Sequence, residues 1–193
     1  MNITKKTKNF FKENLTSDDI FPTTMPAYIN SFAYIFGVVS LSSFIFLIIT
    51  GVILVSFGPA WYHFSKIGAF VNSLHFWGVQ IFFGGLILHL MSKFSMAAYR
   101  DGRGKTWFFG MLAFGLATFE GFTGYLSQTN WDSQWIAVQS KDLLNAMGIG
   151  GFFDPMNTAQ VFGFHILVVP LVLIVLILIH LFLVRSEGPI KPL

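Results

Sequence analysis

Four histidines lie in two pairs within apolar stretches, His75 with His89 and His165 with His180, at intervals of 14 and 15 residues. A helix turns about 100° per residue, so 14 steps return to within about 40° of the start and 15 overshoot by about 60°. Each pair therefore lies near one face of its helix, its members about 21–22 Å apart along the axis. A single histidine in hydrocarbon could serve as an interhelical hydrogen bond. Four at matched depth, two per helix, point instead to function. Set face to face, the two helices would offer two bis-imidazole sites, one above the other, which suits two stacked haems spanning a membrane. His63, in a polar stretch, does not fit the set and reads as a surface residue, or one near a pocket at the outer side.

Elements long enough to carry such pairs must be transmembrane helices. The chain of 193 residues is 54% hydrophobic and 11% charged, with 24 phenylalanines and no cysteine. Soluble domains carry about 25% charged residues. The absence of cysteine excludes disulfides, cysteine-ligated iron–sulfur clusters and thioether haem attachment within the chain. Any haem is then held non-covalently, by histidine and packing. The first residues are basic and polar and lack the apolar core of a signal peptide.

Four segments could cross about 30 Å of hydrocarbon: Ser31 to Phe57, Ala69 to Phe94, Thr106 to Leu126 and Ala159 to Val184. Gly58-Pro59, Asp101-Gly102 and Asp154-Pro155 punctuate them. An all-α membrane protein follows, a four-helix bundle over residues 31–185 with tails at 1–30 and 186–193. Between the third and fourth spans, Ser133 to Met147 reads as an amphipathic surface helix with Trp135, Val138, Leu143 and Met147 on its apolar side. Ten lysines and arginines fall in the tails and the second connection, against only Lys66 and Lys141 in the other two. The positive-inside rule puts both termini in the cytoplasm, with His75 and His165 near the outer face and His89 and His180 near the inner.

A macrocycle approaches a helix closely where side chains are missing, which favours glycine. Gly37 and Gly51 in the first span are 14 residues apart, as are Gly110 and Gly124 in the third. Gly51 and Gly124 match the outer histidines in level, Gly37 and Gly110 the inner ones. Gly84, Gly85, Gly115 and Gly121 read as packing positions. Glu120 is the one acid within a span, four residues before Gly124 and so facing the bundle. It is either a structural hydrogen-bond partner or a proton or quinol group at the outer side.

These residues, with Ala33-Tyr34-Ile35-Phe36-Gly37, Leu74-His75-Phe76-Trp77, Lys105-Thr106-Trp107, Thr123-Gly124-Tyr125 and the Arg185-to-Leu193 ending, resemble the N-terminal half of the cytochrome b family. The 15-residue interval and the short chain look most like the split cytochrome b6 type. The resemblance runs from about Pro26 to the end. It implies a di-haem subunit of a respiratory quinol:cytochrome c oxidoreductase, inactive alone, carrying electrons from a quinol-oxidising to a quinone-reducing site with proton translocation. It also implies partners: a separate C-terminal cytochrome b subunit (subunit IV-like), a Rieske iron–sulfur protein, a cytochrome c-type subunit, a second copy of the complex, and membrane lipids. No nucleic acid is implied. The location would be a bacterial or archaeal energy-transducing membrane.

By the same resemblance, the outer pocket draws on the stretch after Gly124-Tyr125 and on Trp135 to Leu144. The inner pocket draws on the N-terminal tail, the start of the first span and Arg185, which would serve the inner quinone site or a haem propionate, or else simply snorkel. Three departures matter. Ile35 occupies the position where the b6 type attaches an extra haem through cysteine. Asn72 replaces a frequent arginine, so outer propionates need other partners. Leu126 to Trp131 replaces a Leu-Pro-Trp-like run. The competing reading is a di-haem membrane anchor of a dehydrogenase or hydrogenase; a channel subunit would need a polar pathway that these spans lack.

Overall fold

A computed structural model describes Asn9, residues 31–188 and Ile190; nearly all of the expected 1–30 tail, and its share of the inner pocket, lies outside the described residues. Among the described residues the regular structure is entirely helical. Helix α1 spans Phe32–Phe57, α2 Trp61–Phe64, α3 Lys66–Ser95, α4 Gly104–Leu126, α5 Trp131–Ala146 and α6 Thr158–Gly163. A π-helical turn at Phe164–Val168 then leads into α7, Val169–Glu187.

Local chemistry sets these boundaries. Helix α1 ends where Gly58 takes φ 86°, followed by Pro59. The Ser65 side chain caps α3 by accepting from Gly68 N at 3.2 Å. The sharp α3–α4 connection uses left-handed backbone at Ala97, Asp101 and Gly102. Asn130 and Asn157 cap α5 and α6 in the same way as Ser65. Hydroxyls within the apolar helices are satisfied locally: Ser40, Ser43 and Thr50 donate to carbonyls one turn back.

Helix α1, helix α3 and the continuous run Thr158–Glu187 are each long and apolar enough to cross a membrane. Helix α4, at 23 residues, matches the thickness in length at about 1.5 Å per residue, but Glu120 and its glycines make it less apolar. The helices pack as two pairs, α1 against α3 and α4 against the α6–α7 run. Phe44, Phe82, Ala117 and Leu173, one residue from each long helix, join the pairs at mid-height in a buried cluster. Large apolar side chains such as Phe70, Trp77 and Leu178 are more than 60% exposed, the pattern of a surface that meets hydrocarbon.

Helix α5 leaves Trp135, Leu143 and Met147 at least 60% exposed and buries Ser133 and Ala137 against the bundle. Its apolar side therefore faces outward rather than covering the core.

Candidate functional site

The two helix pairs meet at the waist and part above and below it, which leaves a cavity at each end. Both cavities touch Phe44, Phe82, Ala117 and Leu173, so the waist cluster is the floor of one and the ceiling of the other. The first cavity, about 600 Å³, is lined by His75, His165, Gly51, Gly124, Glu120, Asn72, Tyr125 and Gln128 among others. The second, about 350 Å³, is lined by His89, His180, Gly37, Gly110, Lys93 and Arg103 among others. Both volumes suit a bound organic group.

The four glycines sit against the four histidines. A Cβ at Gly37 would lie 3.1 Å from His89 Nδ1, at Gly51 3.4 Å from His75 Cε1, at Gly110 3.0 Å from His180 Cε1, and at Gly124 2.6 Å from His165 Cε1. The space left by each missing side chain is thus taken by an imidazole edge. Gly85 and Gly121 make room for Ser40 and Phe83 instead, while Gly84 and Gly115 have nothing close.

Two of the imidazoles are hydrogen-bonded through Nδ1, and a third has a carboxylate beside it. His180 Nδ1 lies 3.0 Å from the Thr106 carbonyl, which can only accept. His75 Nδ1 lies 2.8 Å from Thr50 Oγ1, whose own hydrogen goes to the Phe46 carbonyl. His165 Nδ1 lies 2.9 Å from Glu120 Oε1, close in distance but off the hydrogen-bond direction, so that Nδ1 is still without an aligned partner. An acceptor opposite Nδ1 puts the proton there and leaves the Nε2 lone pair for a metal. His89 Nδ1 is buried without a hydrogen-bond partner among the described residues.

The His75 and His165 ring centroids are 6.3 Å apart with planes at 88°. Imidazole–metal bonds of about 2.0 Å on each side, plus the two ring radii, require about 6 Å between centroids. No cluster of three or more His, Cys, Asp or Glu able to hold a bare metal ion occurs among the described residues. Two-histidine pairs fit a metal that brings its remaining ligands with it, as iron in a macrocycle does.

The ends differ in charge. At the second cavity, Lys93 Nζ lies 3.4 Å from the centroid of the Tyr34 ring. Arg103 donates to the Gly188 and Glu187 carbonyls at 2.7 and 2.9 Å, and Tyr34 donates to the Ile190 carbonyl. Among the described residues, the first cavity has no lysine or arginine in its lining. At its mouth Tyr62 donates to the Gln128 carbonyl at 2.8 Å, and burial pushes its phenol above the ordinary value, partly offset by a hydrogen bond with Thr129.

Arg185 is exposed and outside the second cavity; five residues beyond His180 is about 140° around the helix. Lys93 and Arg103 line that cavity instead. Lys93 was readable, four residues after His89 and so on its face, whereas Arg103 comes from a connection whose path no periodicity gives. Ile35 is exposed and lines neither cavity. His63 lies outside both, its ring 4.1 Å from that of Tyr62.

An all-helical membrane protein with two apolar cavities, each bracketed by a histidine pair, is the class that fold and site define. The family model described as Cytochrome b(N-terminal)/b6/petB matches residues 80–193, and the chain belongs to that family. It is 28% identical over 204 residues to cytochrome b6 of Heterocapsa triquetra, with 92% of each chain covered. It is 25% identical over 206 residues to the menaquinol:cytochrome c reductase cytochrome b subunit of Geobacillus thermodenitrificans, with 91% of each covered. The cytochrome bc1 complex cytochrome b subunit of Streptomyces coelicolor is 29% identical over 191 residues, which take up 35% of that longer protein. A solved chain of a hyperthermophilic respiratory Complex III shares the fold, with a TM-score of 0.73, 24% identity, and coverage of 93% of this chain and 55% of that one. The chain thus spans nearly all of its short relatives and about a third to a half of the long ones.

Proposed function

We propose that this chain is the di-haem cytochrome b subunit of a respiratory quinol:cytochrome c oxidoreductase. In this reading His75 and His165 ligate an outer haem, and His89 and His180 an inner one. When bound, each haem would supply a one-electron carrier, with its histidine pair holding the iron. Gly51 and Gly124 at one level, and Gly37 and Gly110 at the other, give the imidazoles their room. Thr50 and the Thr106 carbonyl hold the Nδ1 atoms of His75 and His180, and Glu120 stands beside that of His165. Lys93 and Arg103 are placed to receive the inner propionates; Asn72 and Gln128 are the neutral groups available to the outer ones. Helix α4 completes the membrane bundle as a fourth span, both termini lying on the basic, cytoplasmic side.

The observation that carries the reading is the bracketing of each cavity by a histidine pair, with 6.3 Å between the His75 and His165 rings. The named activity of the Geobacillus relative, menaquinol:cytochrome c reduction, supplies the substrate class. The remaining quinol-site residues and the electron acceptors belong to separate subunits: a C-terminal cytochrome b partner, a Rieske protein and a cytochrome c, in a complex that forms a dimer. A reduced-minus-oxidised spectrum with haem quantitation on the purified complex tests the cofactor, and two b-type haems per chain are expected. Absence of b-type bands sinks the haem reading. Co-purification with a dehydrogenase instead of a Rieske protein would favour the membrane-anchor alternative.

A further inference from the structure

The four histidines differ in what holds their Nδ1 atoms. His75 faces a hydroxyl, His180 a backbone carbonyl, and His89 no partner among the described residues. Only His165 faces a carboxylate, Glu120 Oε1 at 2.9 Å, with the two side chains 21% and 18% exposed. Thr123, fully buried, donates to the Glu120 carbonyl at 2.9 Å, and its Oγ1 lies 3.5 Å from Oε2. Among the described residues no lysine or arginine lines this cavity to offset the charge, whereas Lys93 and Arg103 line the other.

We infer that Glu120 is a positioning residue that acts through His165 to lower the electron affinity of the outer centre relative to the inner one. A carboxylate 2.9 Å from Nδ1 sets a negative charge beside the imidazole, and a negative charge in a weakly screened site favours the more positive, oxidised metal. Electrons arriving at the outer end are thereby driven inward by side chains of this chain. The inference rests on the bis-histidine haem reading and adds to it the residue that sets the bias.

The test is a redox titration of the assembled complex, followed by haem absorbance, in the unaltered protein and in Glu120→Gln. A His180→Leu complex, lacking one inner ligand, assigns the two steps. Glu120→Gln keeps the shape and removes the charge, so the outer reduction equilibrium is expected to move about tenfold toward the reduced form, about 59 mV for one electron. The inner step should stay in place, and Glu120→Asp should restore part of the offset. An outer step unchanged in Glu120→Gln overturns the inference. Equal movement of both steps also overturns it, because that is the mark of general loosening. Should Glu120→Gln fail to assemble, Glu120→Asp decides: it keeps the charge but draws it back from His165 by one methylene, and an outer step that does not rise rejects the inference. Absence of b-type absorbance in the unaltered complex would reject the haem reading itself, before any variant is compared.

Discussion

Each imidazole at the candidate site is placed by a contact that a single residue supplies. The glycine contacts are graded, and the grading is testable. A methyl at Gly51 would meet His75 at ordinary van der Waals distance, 3.4 Å, whereas one at Gly124 would fall 2.6 Å from His165. On the proposed di-haem reading, Gly51→Ala should leave both haems bound. Gly124→Ala should force His165 aside, cost about 1–3 kcal/mol as overpacking does, and lower the outer haem content alone. Haem quantitation and thermal unfolding of the two variants would check the contrast. His75→Ala should remove one haem and leave the other, read as a halved pyridine haemochrome yield. The histidines and their glycines were legible in the sequence because helical phase turns an interval into a face. Thr50 and Thr106 were not, because a hydrogen bond between helices depends on their relative height, which no single helix encodes.

The informative element is the run that carries His165 and His180. Fifteen residues overshoot by about 60° in a regular helix, yet His165 and His180 line cavities stacked along the same bundle. The π-helical turn at Phe164–Val168 absorbs one residue, with Val169 N–H donating to the Phe164 carbonyl. The interval then behaves as 14, like that of α3. Pro170 explains why the turn sits there: it has no N–H to offer the Ile166 carbonyl, so the ordinary ladder is already broken. Pro170→Ala should let the ladder close, turn His165 away from its cavity and reduce outer haem content, with the inner haem retained. Outside the membrane, Lys141 donates to Asp154 at 2.8 Å. That hydrogen bond, with a second from the Met156 N–H, holds the Asp154 carboxyl below its ordinary 3.8. The contribution is present above pH 3.8 and is lost as pH falls through the lowered value. Lys141→Met should bring the carboxyl back toward 3.8 in an NMR titration. Both side chains are well exposed, so stability should barely change.

At the scale of the molecule, two helix pairs are pinned at one waist. Phe82 is 6% exposed and its ring lies 5.9 Å from that of Phe44. Phe82→Ala should join the two cavities and cost about 3 kcal/mol, the low end for such truncations, because in hydrocarbon the loss is mainly packing. Thermal unfolding in detergent would measure it. Because the chain has no cysteine, Asp101→Cys and Thr129→Cys can report sidedness directly. A membrane-impermeant maleimide applied from outside intact cells should label Thr129→Cys and spare Asp101→Cys; the reverse would invert the assignment of outer and inner haems.

The sequence by itself determined the helices, the histidine and glycine faces and the charge asymmetry, because each follows from composition and phase along one strand of chain. Only the tertiary structure decided that Glu120 meets His165, that Arg103 rather than Arg185 reaches the second cavity, and that a π-helical turn resolves the 15-residue interval. Those outcomes depend on how far one helix slides and rotates against another, and packing at the Phe44–Phe82–Ala117–Leu173 waist fixes that.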